Sequence, residues 1–203
     1  MRLLENEITK RGKVINNEVL NVDRFFSQQV NTELLIEIGK EFEHHFGSKK
    51  IDRILTVEAS GIAIAMAAAS FLHVPVVFAR KNPDPLMEGD SFIVSCHSHS
   101  KEQDYSLFVL KDLLPAGENI LILDDFLSNG NEIMNLTNIV KQAGSKVIGI
   151  GVAIEKAFRP GRQRLEEAGY PVVSLARIEK FENGKPVFVK TPKKFGSNIG
   201  SSD

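Results

Sequence analysis

The spacing of hydrophobic positions changes near residue 50. Before that point, apolar residues recur at helical spacing in two segments, 1–11 and 32–46. A glycine follows each segment, Gly12 and Gly47, and glycine is typical just beyond the end of a helix. The pattern predicts two amphipathic helices within the first fifty residues.

From residue 51 onward, short apolar runs alternate with helical segments. Most of the runs are apolar on both faces, as strands buried in a parallel sheet are. Strands are predicted at 51–57, 74–80, 118–126, 146–156 and 170–178, helices at 62–72, 133–142 and 160–169, an antiparallel pair at 91–100 and 104–110, a loop at 81–90, and a hairpin turn at 183–184. This alternation predicts an α/β fold in which helices flank a mostly parallel, twisted sheet.

Composition adds limits on partners and location. The 203 residues, 42% of them hydrophobic, are enough for a substantial core, and a net charge of −1 gives no electrostatic reason to expect a nucleic-acid partner. A single cysteine, Cys96, excludes an intrachain disulfide and a cysteine-rich zinc site. His97 and His99 lack further nearby ligands, so no resident metal site is expected. Because no export signal or membrane-spanning run is visible, we expect a cytoplasmic protein with no membrane partner.

The clearest chemical signal is the segment ILILDDFLSNGNE at 120–132. Its apolar residues predict a buried strand that ends in Asp124 and Asp125. The small residues at 128–130 predict a tight turn before a helix, which aims backbone N–H groups at an anion. Carboxylates can accept hydrogen bonds from sugar hydroxyls, and backbone amides can bind a phosphate. The two together indicate a ribose 5-phosphate site. The alternative is a strand that ends in solvated acids before a serine-capped helix.

This segment resembles the phosphoribosyl pyrophosphate (PRPP) signature of type I phosphoribosyltransferases, which has four apolar residues, two acids and a small-residue loop. The common loop is Thr/Ser-Gly-Gly-Thr, and Asn129 replaces a glycine here, a mild departure because asparagine tolerates positive φ. The resemblance implies that Asp124 and Asp125 are catalytic and hold the ribose hydroxyls. It also implies PRPP binding by Ser128, Asn129, Gly130, Asn131 and Glu132.

The resemblance also implies a role for two other segments. Ala59 and Ser60 follow the first strand of the α/β part, and Arg80-Lys81 ends the second. By themselves they are equally well explained as an ordinary turn and a solvated basic pair. In the family, a loop and a basic pair at these places hold the leaving diphosphate. The resemblance therefore implies that all four residues bind diphosphate, that the segment 81–105 forms a mobile lid, and that PRPP carries Mg²⁺.

Over roughly 1–190, the order of segments is most similar to the bacterial xanthine phosphoribosyltransferases within that family. The segments are EVLNVDRFFSQQVN, VPVVFARK, LILDDFLSNG, IVKQAG, GIGVAIEKAFRPGR and SLAR. The resemblance implies a single domain, with an N-terminal hood at 1–50, a core at 51–190 and a polar tail at 191–203. It also implies a homodimer.

Three residues are expected to contact the base. The resemblance places Leu20 and Ser27 of the hood, together with Lys156, around xanthine. Well-known relatives have asparagine at the Ser27 position, so the shorter serine would need a water to complete that hydrogen bond. By position alone, Lys156 is more simply explained as an exposed lysine at a strand end.

The expected activity is purine salvage, in which the 5-phosphoribosyl group of PRPP is transferred to xanthine. Guanine or hypoxanthine remains an alternative acceptor. The contact at purine C2 determines which base is preferred, and the sequence does not show which group makes that contact. A non-catalytic PRPP-binding regulator that binds DNA is a second alternative. The first fifty residues carry no concentrated basic helix of the kind that such a regulator would use.

Overall fold

The computed structural model describes residues 1–81, 90–98 and 103–190. Most of the predicted loop at 81–90, His99 and the tail at 191–203 therefore lie outside the described residues. The helices are α1 (Arg2–Arg11), α2 (Thr32–Phe46), α3 (Ser60–Leu72), α4 (Asn131–Gln142) and α5 (Gly161–Glu167). The strands are β1 (Lys13–Ile15), β2 (Val19–Asn21), β3 (Arg53–Val57), β4 (Val76–Lys81), β5 (Ser91–Ser98), β6 (Gln103–Leu110), β7 (Asn119–Leu127), β8 (Lys146–Lys156), β9 (Val172–Glu182) and β10 (Lys185–Phe188). No helix in these ranges is long and apolar enough to cross a bilayer.

Eight strands form one sheet in the order β10-β9-β8-β7-β3-β4-β6-β5. The five central strands, from β9 to β4, pair in parallel, whereas β10 and the β5–β6 pair are antiparallel at the two edges. The predicted α/β class, the antiparallel edge pair and the hairpin at 183–184 are confirmed. The chain proceeds outward from β3 to β4 and, in the other direction, from β7 to β8. The direction of the chain across the sheet therefore reverses between the neighbouring strands β3 and β7. Ligands of such sheets bind at this switch point.

Strand β7 shows why the central strands are apolar on both faces. Leu121 and Leu123 are fully buried in a core that also contains residues of α1, α2 and α3. Ile120 and Ile122 are fully buried on the opposite face, where they share a second core with α4 and α5. Because helices cover both faces, the positions from Ile120 to Leu123 have to be apolar before the strand reaches its two acids.

The N-terminal part contains two features that the hydrophobic pattern did not predict. Strands β1 and β2 form a separate two-stranded hairpin, and Asn16 and Asn17 make its turn with φ of 51° each. A π-helical turn, Asp23–Ser27, follows, and it buries Phe25 and Phe26 in the first core. Strands of three residues are too short to show a two-residue period, which is why the hairpin was missed.

A buried carboxylate joins β8, α5 and β9. Glu155 of β8 is 1% exposed. Arg162 of α5 donates to both of its oxygens, with an Nη2–Oε2 distance of 2.7 Å, and Arg177 of β9 donates from Nε at 3.0 Å. Burial raises the pKa of Glu155, but hydrogen bonds from Arg162, Ser174 and Arg177 outweigh it, so the pKa is lowered. Glu155 is therefore ionised at neutral pH and ties three elements together.

Replacing Glu155 with glutamine is expected to lower the free energy of unfolding by about 3 kcal/mol at pH 7, because two arginines lose a buried charged partner. A lowered carboxyl pKa stabilises the fold above the unfolded value, and that contribution disappears as the pH falls through the folded value. The difference in the free energy of unfolding between wild type and Glu155→Gln should therefore decrease below about pH 4.3, the ordinary glutamate pKa. Urea unfolding at several pH values measures both effects.

Glu166→Gln is the matched control, because Glu166 is an exposed partner of the same Arg162. Its replacement should change the free energy of unfolding by less than about 0.5 kcal/mol. Equal losses in the two variants, or a loss for Glu155→Gln that does not depend on pH, would contradict this description of the network.

Candidate active site

The carboxyl ends of β3 and β7 bring two of the predicted segments together. Asp124, at the end of the apolar run of β7, is 3% exposed. Helix α3 begins at Ser60, directly after Ala59, so it starts two residues earlier than predicted. A Cβ on Gly61 would collide with Thr56 Oγ1 and lie 2.9 Å from Asp124 Oδ1. Only glycine allows the first turn of α3 to approach the acid so closely.

Asp124 is an unusual carboxyl group. Burial, and then the charges of Asp125 and Glu132, raise its pKa well above the ordinary value. Its Oδ1 accepts a hydrogen bond from the N–H of Asp125 at 2.9 Å, and Asp125 Oδ1 accepts from the N–H of Phe126 at 2.8 Å. The hydroxyl of Thr56 is buried without a hydrogen-bond partner in the described part of the chain. Perturbed and unsatisfied polar groups of this kind are typical of functional sites.

The turn between β7 and α4 has the geometry of an anion site. Gly130 has φ of +78° and immediately precedes α4, whose first residue is Asn131. The first N–H groups of a helix have no acceptor within it, and no side chain caps this one. Ser128 is half-buried and Asn129 is exposed. The turn can therefore present several N–H groups to a phosphate.

The predicted phosphate turn and the predicted diphosphate residues meet across the site. The carboxylate of Glu132 pairs with Lys81, with an Oε1–Nζ distance of 3.0 Å. The backbone N–H of Lys81 donates to Glu58 Oε1 at 2.7 Å, and Arg80 Nε lies 3.9 Å from Glu58 Oε2. Because the carboxylate of Glu132 is directed at Lys81, only its backbone N–H is available to a phosphate.

On the other side of β7, Lys156 at the end of β8 contacts the N-terminal hairpin. Its Nζ donates to the carbonyl of Glu18 at 2.9 Å, and burial, followed by the charge of Arg159, lowers its pKa. Lys156 is half-buried and hydrogen-bonded, so it is not a freely solvated lysine at the strand end. Leu20 lies on the same hairpin and is 6% exposed. Ser27 is exposed at the end of the π-helical turn, and no hydrogen bond in the described residues joins it to Lys156.

Two neighbours of the predicted phosphate turn were not expected from the sequence. The N–H of Gly161 donates to the carbonyl of Ser128 at 3.0 Å. Arg164 Nη1 donates to the carbonyl of Asn129 at 2.7 Å and to Asn131 Oδ1 at 2.6 Å. The signal that could have found them is the adjacency of β7 and β8, because the segments after neighbouring parallel strands emerge at the same edge.

Comparison with known proteins shows the family of the chain. A family model described as phosphoribosyl transferase domain matches residues 28–190. The chain is 44% identical over 190 residues to a xanthine phosphoribosyltransferase of Ruminiclostridium cellulolyticum, covering 94% of this chain and 100% of that protein. It is 46% identical over 189 residues to the xanthine phosphoribosyltransferase of Leuconostoc mesenteroides, covering 93% and 100%.

Solved structures resemble the fold at lower identity. The adenine phosphoribosyltransferase of Thermoanaerobacter pseudethanolicus has a TM-score of 0.71 at 24% identity, covering 85% of this chain and 98% of that one. An adenine phosphoribosyl transferase of Trypanosoma brucei, in complex with AMP, pyrophosphate and ribose-5-phosphate, has a TM-score of 0.71 at 19% identity, covering 98% and 89%. With the family model and the curated relatives covering most of its length, the chain belongs to the phosphoribosyltransferase family and has the type I fold.

Proposed function

We propose that the chain transfers the 5-phosphoribosyl group of PRPP to xanthine in purine salvage, giving xanthosine 5′-monophosphate (XMP) and diphosphate. One observation carries the proposal, namely that the buried acid Asp124 lies in β7 and that an anion-binding turn follows this strand at a switch point of the sheet. The names of relatives at 44% and 46% identity support xanthine over guanine or hypoxanthine as the acceptor.

The substrate groups are assigned by charge and hydrogen-bond type. The turn residues Ser128, Asn129, Gly130, Asn131 and Glu132 receive the 5-phosphate. Asp124 and Asp125 hold the ribose hydroxyls, since carboxyl groups accept hydrogen bonds from hydroxyls but repel phosphates. A protonated Asp124 can also donate, which its raised pKa allows.

The diphosphate is assigned to the other side of the switch point. The small residues Ala59 and Ser60 open α3 and let the backbone approach the ligand. Arg80 and Lys81, at the end of β4, add positive charge. Because Lys81 also pairs with Glu132, the two phosphate-bearing ends of PRPP would lie on either side of one ion pair.

The proposed chemistry needs no protein nucleophile. The bond between ribose C1 and the diphosphate oxygen breaks first, and its electron pair leaves with the diphosphate. A purine nitrogen then donates its electron pair to the cation-like C1 from the opposite face, and the base loses a proton. The protein contributes positioning and electrostatic stabilisation.

Mg²⁺ is proposed as a companion of PRPP. Among residues 1–81, 90–98 and 103–190, no group of three or more His, Cys, Asp or Glu side chains is placed to hold a metal. The carboxylates of Asp124 and Asp125 are oxygen donors of the kind that Mg²⁺ accepts, so the site fits an ion held mainly by the diphosphate. When bound, such an ion neutralises charge on the leaving group.

The base is proposed to lie between β8 and the N-terminal hood. Lys156 would donate to a purine carbonyl, Leu20 would supply an apolar wall, and Ser27 would act through a water. The hydrogen bond from Lys156 to Glu18 supports this, because it already brings the hood hairpin to the strand end. We also propose a single domain, with the hood at 1–50 and the core at 51–190, and a cytoplasmic location.

A homodimer is proposed through an apolar face of α3 and β4. Met66 and Phe78 are 59% and 41% exposed there, and they line one groove with Ile62, Val74 and Val76. Phe78 and Arg80 are two residues apart on β4, so they lie on the same face of the strand, and both are exposed. The face is therefore continuous with a proposed diphosphate residue.

The substrate is tested by supplying PRPP and Mg²⁺ with xanthine, guanine or hypoxanthine and separating the nucleotides formed. Xanthine should give a kcat/KM at least about tenfold above the other bases, because a wrong C2 substituent leaves a polar contact unpaired. Preference for guanine or hypoxanthine would overturn the choice of xanthine. DNA retardation at physiological salt without any product would favour the regulator.

Asp124→Asn is expected to lower kcat/KM about 100-fold or more, and Asp125→Asn should also lower turnover.

In Asp124→Asn the melting temperature should not fall. A raised carboxyl pKa makes folding of the wild type less favourable as the pH rises from the unfolded value of about 3.9 through the folded value, and asparagine has no such cost. The stability of the variant relative to wild type should therefore increase from pH 5 to pH 8. Thermal unfolding and initial rates measure this.

Asp112→Asn, on an exposed turn, is the matched control and should change neither kcat/KM nor the melting temperature. Near-wild-type turnover in both Asp124→Asn and Asp125→Asn would refute the proposed roles of the two acids.

Phe78→Ser is expected to weaken the dimer and convert it to monomers at micromolar concentration, since a large apolar side chain is lost from the interface. Sedimentation velocity measures the distribution. Val30→Ser, which replaces an exposed apolar residue outside this face, should leave the dimer intact. A wild-type chain that sediments as a monomer would refute the dimer.

A further inference from the structure

The start of α5 packs directly against the turn proposed to hold the 5-phosphate. A Cβ on Gly130 would lie only 3.1 Å from the Cα of Gly161. Arg164, on the same helix, is exposed. Its Nη1 donates to the carbonyl of Asn129 at 2.7 Å and to Asn131 Oδ1 at 2.6 Å. One arginine therefore holds both a backbone and a side-chain group of the turn.

These contacts fix the direction of two successive peptide groups. In a trans peptide the C=O and the N–H point in opposite directions. The N–H of Gly161 holds the carbonyl of Ser128, so the N–H of Asn129 points away from Gly161. Arg164 holds the carbonyl of Asn129, so the N–H of Gly130 points away from the guanidinium. An anion-binding turn needs this separation of N–H groups from carbonyls.

Arg164 also fixes the amide of Asn131. A guanidinium has donors and no acceptor, so the amide has to present its oxygen to Arg164. The NH₂ group of Asn131 is thereby turned away from the guanidinium. Asn131 is the first residue of α4, so this donor is added to the N–H groups of the helix start.

We propose that Arg164 is a positioning residue for the 5-phosphate of PRPP. It sets the peptide directions of the turn and the amide of Asn131, and it acts through them. The inference rests on the proposed function. Its effect should be confined to the 5-phosphate end of the substrate, because its contacts to the turn are made with Asn129 and Asn131 alone.

The test compares Arg164→Ala and Arg164→Lys with Gln163→Ala. Gln163 is exposed on the same helix, and its amide donates to Glu167. In Arg164→Ala, the KM for PRPP and the inhibition constant of ribose 5-phosphate should rise about tenfold, with kcat changed less than about twofold. The inhibition constant of diphosphate and the KM for xanthine should not change. Arg164→Lys should recover part of the loss, because lysine keeps the charge but not the planar fork. Gln163→Ala should match the wild type.

An unchanged constant for ribose 5-phosphate in Arg164→Ala would overturn the inference. Equal rises in the constants for ribose 5-phosphate, diphosphate and xanthine would also overturn it, since they would indicate a general structural role. A wild-type chain that turns over no purine base would instead refute the proposed function. Calorimetric titration with ribose 5-phosphate would then still test Arg164, because it needs no turnover.

Discussion

The site depends on one buried charge, the carboxylate of Glu155. It holds Arg162 of α5 and Arg177 of β9 against the end of β8. By fixing α5, it fixes Gly161, whose N–H holds the carbonyl of Ser128 in the phosphate turn. Lys156, the next residue of β8, reaches the N-terminal hairpin. A buried ionic network of this kind contributes little net stability compared with an apolar core. Its consequence here is alignment, since the proposed phosphate turn and Lys156 are both positioned from the end of one strand.

Local patterns in the sequence were enough for much of the fold. The helix predicted at 32–46 is observed as Thr32–Phe46, because its apolar stripe and its closing glycine are both local signals. The buried run of β7 and the acids that end it were equally readable, since a central parallel strand has to be apolar on both faces. The hairpin of β1 and β2 was not predicted, because strands of three residues carry no period.

Contacts between distant segments were the part that the sequence could not provide. Arg164 lies 33 positions from Asn131, and only the pairing of β7 with β8 brings the two together. The sequence also could not distinguish a side-chain ligand from a backbone ligand. Glu132 was expected near the phosphate, and its carboxylate is instead paired with Lys81. In the same way, the net charge of −1 gave no reason to expect a polyanion partner but had no bearing on a small anion of the kind proposed at the turn amides and at Arg80 and Lys81.

The central claim is that a ribose 5-phosphate lies on the turn after β7 with its hydroxyls on the two acids. A crystal structure of the chain with XMP tests it most directly. The account predicts that the phosphate accepts hydrogen bonds from the N–H groups of residues 129–132, and that the ribose hydroxyls lie within hydrogen-bond distance of Asp124 and Asp125. A phosphate bound instead at Arg80 and Lys81, or a nucleotide outside the switch point of the sheet, would contradict it.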